Sequence, residues 1–259
     1  MSTMNEVHFA SSPAPWLSAV VQMPGRSRST RRHSHARGQV IGAADGLITV
    51  EVRDGRWVVP AMHAVWIPPH TAHGLRSHGV FSGWNVFVDQ AACSALAPKP
   101  CIFAVSPLLH EAVVRAATWC IGETTLDAAQ ERLAGVIVDE VRACVPVALG
   151  LPLPKDVRLL KIAAALSDRP GERRRLADWA EWAGIAPRSL TRRFVDETGF
   201  SFTEWRQRLR MLRGLELLAA GKPVTTIAFE LGYDNVSAFI ALFKRTFGVT
   251  PGRYPGSTR

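Results

Sequence analysis

LADWAEWAGIAPRSLTRRFVDETGF (residues 176–200) and VTTIAFELGYDNVSAFIALFKRTFG (residues 224–248) are one pattern written twice. The first copy runs Ala180-x3-Gly184, Leu190-x3-Phe194, Gly199 and Trp205. The second runs Ala228-x3-Gly232, Phe239-x3-Phe243, Gly248 and Tyr254. The gaps from Phe to Gly and from Gly to the aromatic residue agree in both, and only the loop after the first glycine differs, by one residue. Self-similarity at fixed spacing marks two copies of one supersecondary unit.

Each copy reads as helix–turn–helix. Residues 176–183 carry apolar side chains at helical spacing, and Gly184 can take the positive φ that ends the helix. Pro187 suits the first turn of the next helix, which buries Leu190, Phe194 and Val195 and turns Arg188, Thr191, Arg192 and Arg193 mostly outward. In the second copy Asn235 is a good N-cap for a helix burying Phe239, Leu242 and Phe243. A small Ala on the first helix and a Gly in the turn let two helices cross closely. That arrangement presents the second helix to a DNA major groove. A plain helical bundle with a basic face is the bland alternative, and two intact copies weigh against it.

The segment from about Leu159 to Tyr254 resembles the DNA-binding domain of AraC/XylS-type transcription regulators. The matching residues include Leu176-Ala-Asp-Trp-Ala, Ser189-Leu-Thr-Arg-Arg-Phe, Glu197-Thr-Gly-Phe-Ser, Ile227-Ala-Phe-Glu-Leu-Gly-Tyr, Ser237-Ala-Phe-Ile, Phe243-Lys-Arg-Thr-Phe-Gly and Thr250-Pro-Gly-Arg-Tyr. The resemblance implies a seven-helix domain with two recognition helices in successive major grooves.

Length and charge agree. A chain of 259 residues has room for two cores. Its net charge of +9 is uneven: residues 151–259 hold 19 Lys/Arg against 11 Asp/Glu, and residues 1–150 hold 12 against 11. The excess sits with the DNA-reading half, as an electrostatic footprint should. Cys93, Cys101, Cys120 and Cys144 show no CxxC pairing and read as reduced core residues of a cytoplasmic protein. No signal peptide and no apolar run of about 18 residues is present, which argues against export or a membrane span.

Residues 1–25 read as an irregular Ser/Pro/Ala-rich lead-in, and the basic run Arg26–Arg32 as a solvated strand edge. From His33 the pattern turns to short strands at Gln39–Ala43, Leu47–Val52, Arg56–Val59, Ala64–Ile67 and Phe81–Val88, with hairpin signals at Asp45-Gly46 and Asp54-Gly55. Many short strands joined by Gly/Pro turns suggest a small β-barrel or jelly roll. Six of the eight histidines fall between residues 33 and 78. His33, His35 and Gln39 share parity, which on one strand would put them on one face. His73 follows the stiff Trp66-Ile-Pro-Pro-His70 turn. The four resemble the metal motifs of cupins, with Gln39 where the pattern has Glu, His70 where it has Gly, and Ser77 where it has Asn. Three imidazoles and one oxygen suit zinc, nickel or iron. The bland alternative is a polar effector pocket that holds no metal. His63, His70 and His78 read as surface or rim residues, and His8 and His110 as incidental.

Pro98–Pro107 is a connector. Helices follow at 108–120, burying Leu108, Leu109, Ala112, Val113 and Ala116, and at 126–144, with a stripe at Ala129, Leu133, Val136, Ile137 and Val141. They cover the barrel or carry a dimer contact. The expected architecture is thus α+β with two domains: a cupin-like sensor barrel at 1–107, helices at 108–145, a linker at 146–154, and the all-α DNA-binding domain at 155–259. The helix at 202–220 spaces the two helix–turn–helix units at about 28 Å, near one turn of B-DNA. Its Arg206, Arg208, Arg210 and Arg213 are expected to include solvated or phosphate-facing side chains.

The function this implies is a sequence-specific transcription regulator controlled by a small molecule or metal in the barrel. Arg188 and Arg192 are the candidate base readers, since Arg bonds bidentately to guanine, and Thr191 could read a thymine methyl. Val236, Ser237, Ile240 and Ala241 give the second unit a weakly reading outer face, while Lys244 and Arg245 should meet phosphate, which positions without specifying. His33, His35, Gln39 and His73 form the candidate effector and metal site. Expected partners are double-stranded DNA, a small-molecule effector, RNA polymerase for an activator, and a second copy of the chain. A cupin metalloenzyme fused to a DNA-binding domain is the competing class, with a non-specific architectural DNA protein as a third.

Overall fold

The computed structural model describes residues 14–25, 28–119, 124–147 and 149–254. His8, Arg26 and Cys120 lie outside the described residues. The chain divides into two compact units, Met1–Val52 with Val59–Gly150, and Arg53–Val58 with Leu151–Arg259.

The first unit is an antiparallel sheet. Its strands are β1 (Leu17–Gly25), β2 (Ser29–His33), β3 (Gly38–Val52), β5 (His63–Ile67), β6 (His73–Val88), β7 (Cys101–Ala104) and β8 (Pro146–Val147); β4 (Gly55–Pro60) and β9 (Gly150–Pro152) lie mostly in the second unit. The path runs β1-β6-β3-β5-β7-β8, with β2 also on β6. The organising pair is β3 with β6, which run together from Gly38↔Val88 to Val52↔His73.

Two expectations change here. Asp45-Gly46 is no hairpin turn: the β3–β6 register shifts around Asp45 and continues past it, and Gly46 sits at φ 77°. A Cβ at Gly46 would lie 2.4 Å from the Val80 carbonyl oxygen, so a glycine bulge is what lets one long strand bend and serve both halves of the sheet. Residues 17–25 are not lead-in. They form β1, paired from Leu17↔Val88 to Gly25↔Phe81.

Helices α1 (Pro107–Ala116) and α2 (Ala128–Ala143) lie on this sheet. Ser106 caps α1 through a hydrogen bond from the Leu109 amide, and Asp127 with Gln130 forms a capping box on α2. Leu109, Ala112, Val113, Ala116, Ala134 and Ile137 share a core with Leu17, Val40, Trp66, Trp84, Val86 and Phe103. The helices therefore cover the sheet. Leu108, Ala129 and Val136, read as inward-facing, are exposed. The stretch 146–154 contains β8 and β9. Cys93 is buried, and Cys101 and Cys144 are partly buried free thiols.

In the second unit the described residues form six α-helices: α3 (Val157–Asp168), α4 (Leu176–Ala183), α5 (Pro187–Thr198), α6 (Phe202–Ala219), α7 (Val224–Glu230) and α8 (Val236–Phe247). A 3₁₀ turn at Pro251–Arg253 takes the place of the seventh helix that the family resemblance implies. The repeat in the sequence is a repeat in packing. Trp205 stands edge-on to Phe194 with ring centroids 5.5 Å apart, and Tyr254 stands edge-on to Phe243 at 5.6 Å. That is why the spacing from Phe through Gly to the aromatic residue is kept in both copies. Among the described residues no helix is long and apolar enough to cross a membrane.

Candidate functional site

The two helix–turn–helix units form as their local signals dictate. Gly184 is left-handed at φ 66°, ψ 42°, and the Ile185 amide closes back on the Ala180 carbonyl. Pro187 opens α5 at a position where an amide hydrogen would be unpaired anyway. In the second unit Gly232 sits at φ 79°, and Asn235 caps α8 by accepting from the Ala238 amide at 2.8 Å.

On α5, Leu190, Phe194 and Thr198 are buried, while Arg188, Thr191, Arg192 and Arg193 are exposed. The four differ in what they can do. Arg193 is committed to Asp156 at 2.8 Å. Thr191 donates its hydroxyl to the Pro187 carbonyl at 3.1 Å, which leaves its methyl and a lone pair outward. Arg188 and Arg192 have no acidic partner among the described residues, so both guanidinium forks remain available to a base edge or phosphate. On α8, Ser237, Ala241, Lys244 and Arg245 are exposed, whereas Val236 and Ile240 are half-buried shoulders rather than a fully outward face.

The α6 arginines depart from expectation. Arg206 donates to the Arg174 carbonyl, Arg210 to the carbonyls of Pro170 and Glu172, and Arg213 to Glu216, whose side chain is 1% exposed. Arg208 lies over the Phe200 ring, 4.8 Å from its centroid. All four are engaged within the chain. Sequence reading also missed two acids that seat α5. Asp156 accepts from the Arg158 amide and pairs with Arg158 and Arg193, and Glu197 accepts from the Lys155 and Asp156 amides at 2.6 and 2.9 Å. An Asp just before an apolar helical run was the available sign for the first.

In the first unit His33, His35 and His73 meet. Ring centroids are 4.5 Å apart for His33–His73, 5.2 Å for His35–His73 and 5.8 Å for His33–His35. The three offer ligand atoms within 4.8 Å of one another. They do not share a strand, as parity suggested. His33 ends β2 opposite His73 of β6, His35 lies in the connection, and Gln39 is on β3. His33 is exposed, His35 half-buried and His73 buried. Burial lowers the His35 pKa and pushes His73 down to about 4, so both rings are neutral near pH 7.

The Nδ1 atom of each of the three rings faces a backbone carbonyl. Nδ1 of His33, His35 and His73 lies 2.9, 2.7 and 2.8 Å from the carbonyl oxygens of Arg31, Arg37 and Thr71. A carbonyl only accepts, so Nδ1 is the donor, and in the neutral rings of His35 and His73 Nε2 is left bare. The Gln39 oxygen Oε1 lies 3.2 Å from Nε2 of His35 and 3.1 Å from Nε2 of His73. Gln39 is held by donating to Asn85 Oδ1 at 2.8 Å. Asn85, a buried amide in an otherwise apolar strand end, is a supporting residue the spacing argument missed. His70 and His78 lie outside this group; they contact Gln90 and Thr49. His63 contacts the Ala61 carbonyl.

Residues 179–256 match the family model described as a helix-turn-helix domain. The chain is 34% identical over 225 residues to the HTH-type transcriptional regulator NimR of Escherichia coli (strain K12), which spans 86% of this chain and 81% of that protein. It is 32% identical over 103 residues to the HTH-type transcriptional regulator RipA of Corynebacterium glutamicum, covering 40% of this chain and 31% of RipA. Among solved structures, the C-terminal domain of AraT, a response regulator from Geobacillus stearothermophilus, is 28% identical, covering 40% of this chain and 87% of that one at a TM-score of 0.37. Relatives of this kind are regulators and not enzymes, which sets aside the metalloenzyme reading. With a duplicated helix–turn–helix and a near full-length relative, the chain belongs to the AraC-type helix-turn-helix transcription regulators.

Proposed function

We propose that this regulator reads bases through Arg188 and Arg192 of α5, and that its DNA binding is controlled by a divalent transition metal ion held at His33, His35, His73 and Gln39. Lys244 and Arg245 of α8 hold phosphate, and Ser237 with Ala241 reads by shape and apolar contact. The observation that carries the control site is the convergence of three imidazoles, each with Nδ1 anchored to a backbone carbonyl, and with the Nε2 atoms of His35 and His73 beside the Gln39 amide oxygen. Carbonyl-anchored imidazoles of this kind are what metal sites use to orient their ligands. Three nitrogens and one oxygen fit zinc, nickel or iron(II). The donor set is neutral, so it binds a dication less tightly than a carboxylate-bearing site would, which suits reversible sensing in a cupin-like barrel.

Control requires the ion to bind two states of the protein with different affinity, with a coupling of about 1–3 kcal/mol. A homodimer in the cytoplasm is part of the same reading. Exposed Leu108 and Val114 on α1 and Val136 on α2 are apolar surface that such a contact would cover. RNA polymerase is a further partner where the regulator activates.

The test is to strip the protein with chelator and titrate it with each ion, for wild type and for the variant carrying His35→Ala and His73→Ala. One ion per chain in wild type, lost in the variant, with operator affinity changed about fivefold or more only in wild type, is the expected outcome. The opposing arrangement turns the Gln39 amide, together with Asn85, so that it donates to the imidazoles. Folded wild type would then take no ion, and the pocket would serve an organic effector.

A further inference from the structure

Two reading helices can enter consecutive grooves of one duplex only if their separation and angle are fixed. Helix α6 links the units covalently, and the structure adds a second tie. The loop at 169–175, between α3 and α4, is laid directly on the turn of the second helix–turn–helix unit. A Cβ on Gly171 would lie 2.4 Å from the Glu230 carbonyl oxygen, and one on Gly232 would lie 2.6 Å from the Gly171 carbonyl oxygen. Backbone therefore meets backbone there, with no room for a side chain.

The loop is held by arginines. Arg210 of α6 donates Nε to the Pro170 carbonyl at 2.8 Å and Nη2 to the Glu172 carbonyl at 3.2 Å. Its guanidinium also lies 5.7 Å from the centroid of the Tyr233 ring in the second unit's turn. Arg206, one turn earlier, donates to the Arg174 carbonyl at 3.1 Å. Alternate carbonyls of the loop thus face one side of α6. At its far edge Arg173 pairs with Asp234 at 2.7 Å. Arg174 leads back to the first helix–turn–helix, lying over the Trp179 and Trp182 rings of α4 at 5.0 and 5.9 Å. A planar fork that satisfies two carbonyls at once fixes direction as well as distance.

We propose that the loop at 169–175, clasped by Arg206 and Arg210, sets the separation and angle of α5 and α8, making these two arginines positioning residues for DNA recognition across two grooves. Neither touches DNA in this role; both act through the loop. The idea rests on both units reading one duplex.

The experiment starts from duplexes selected from random DNA by full-length wild type. Binding is then measured on the selected site, on sites with one base pair added or removed between the two boxes, and on a site keeping only the first box. One base pair moves the second box by about 3.4 Å and turns it by about 34°. Wild type should lose about tenfold or more at either altered spacing. Arg210→Met should flatten that profile to within about threefold while binding the single-box site as wild type does. If Arg210→Met does not fold by circular dichroism, Arg206→Met, which removes a single carbonyl bond, is read the same way. A folded variant with the wild-type spacing optimum, whether weakened equally everywhere or not at all, overturns the proposal. Wild type that selects only a single box overturns the two-groove reading itself.

Discussion

Trp205 of α6 donates its indole hydrogen to the carbonyl oxygen of Pro152, 2.6 Å away. The indole is fully buried and also packs on Phe194 of α5. The bond ties the start of the DNA-binding unit to its central helix. Trp205→Phe keeps most of the apolar contact but removes the donor, and should cost about 1–3 kcal/mol in denaturant unfolding. A fragment beginning at Leu151 should fold and bind a half-site. One beginning at Lys155 lacks the acceptor and should unfold at lower denaturant. Equal midpoints for the two fragments would show that the bond contributes nothing.

Arg192→Ala and Lys244→Ala should separate base reading from phosphate holding. The first should cost about 1–3 kcal/mol on the selected operator and relax specificity at one position. The second should weaken operator and random DNA alike and reduce the salt slope by about one. Competition binding at several salt concentrations reads both. Equal loss on operator and random DNA for Arg192→Ala would remove it from base reading.

Gly42 of β3 is paired with Trp84 of β6, and a Cβ there would lie 2.1 Å from the indole ring. Trp84 is itself 2% exposed, so the ring has nowhere to go without disturbing the core. Gly42→Ala should destabilise the sheet unit by about 1–3 kcal/mol, seen as an earlier denaturant midpoint and altered near-ultraviolet circular dichroism. Half-site binding by the C-terminal fragment, which lacks this residue, is untouched by the change.

The parts of the molecule legible in the sequence are those decided locally. Gly184, Pro187, Gly232 and Asn235 act within a turn of their own position, and both helix–turn–helix units form around them. Elements decided by a distant partner were misread. Residues 17–25 look like lead-in because the strand they form is specified by pairing with residues 81–88. Asp45-Gly46 satisfies a hairpin and a bulge equally, since both need a glycine at positive φ, and only the continued register of β6 selects the bulge. The spacing of His33, His35 and Gln39 picked residues that do converge, for the wrong reason: strand pairing gathers them, not parity along one strand. The α6 arginines look like phosphate contacts from composition, and the roles of Arg206 and Arg210 are set by carbonyls 32 to 40 residues earlier in the chain.

Asp156 gives the pH prediction. The Arg158 side chain, its amide and the Arg193 guanidinium favour the carboxylate, and hold its pKa far below the usual carboxylate range. A depressed folded value means the carboxylate contributes stability above the unfolded pKa, near 3.9, and loses it as pH falls from there toward the folded value. Asp156→Asn keeps the shape and an oxygen for the cap but not the charge. Wild type should therefore be more stable than the variant at pH 7, and the gap should close steadily below about pH 4. Urea midpoints across that range test this, and a gap that is constant with pH would assign the residue a capping role alone.

In the function proposed for this chain, α5 and α8 read two successive grooves of one duplex. Hydroxyl-radical footprinting of the full-length protein on its selected operator tests this most directly. Two protected patches are expected on one face of the duplex, centred about 10–10.5 base pairs apart, with the α5 patch carrying the sequence preference. A single patch, or even protection without periodicity, would contradict it.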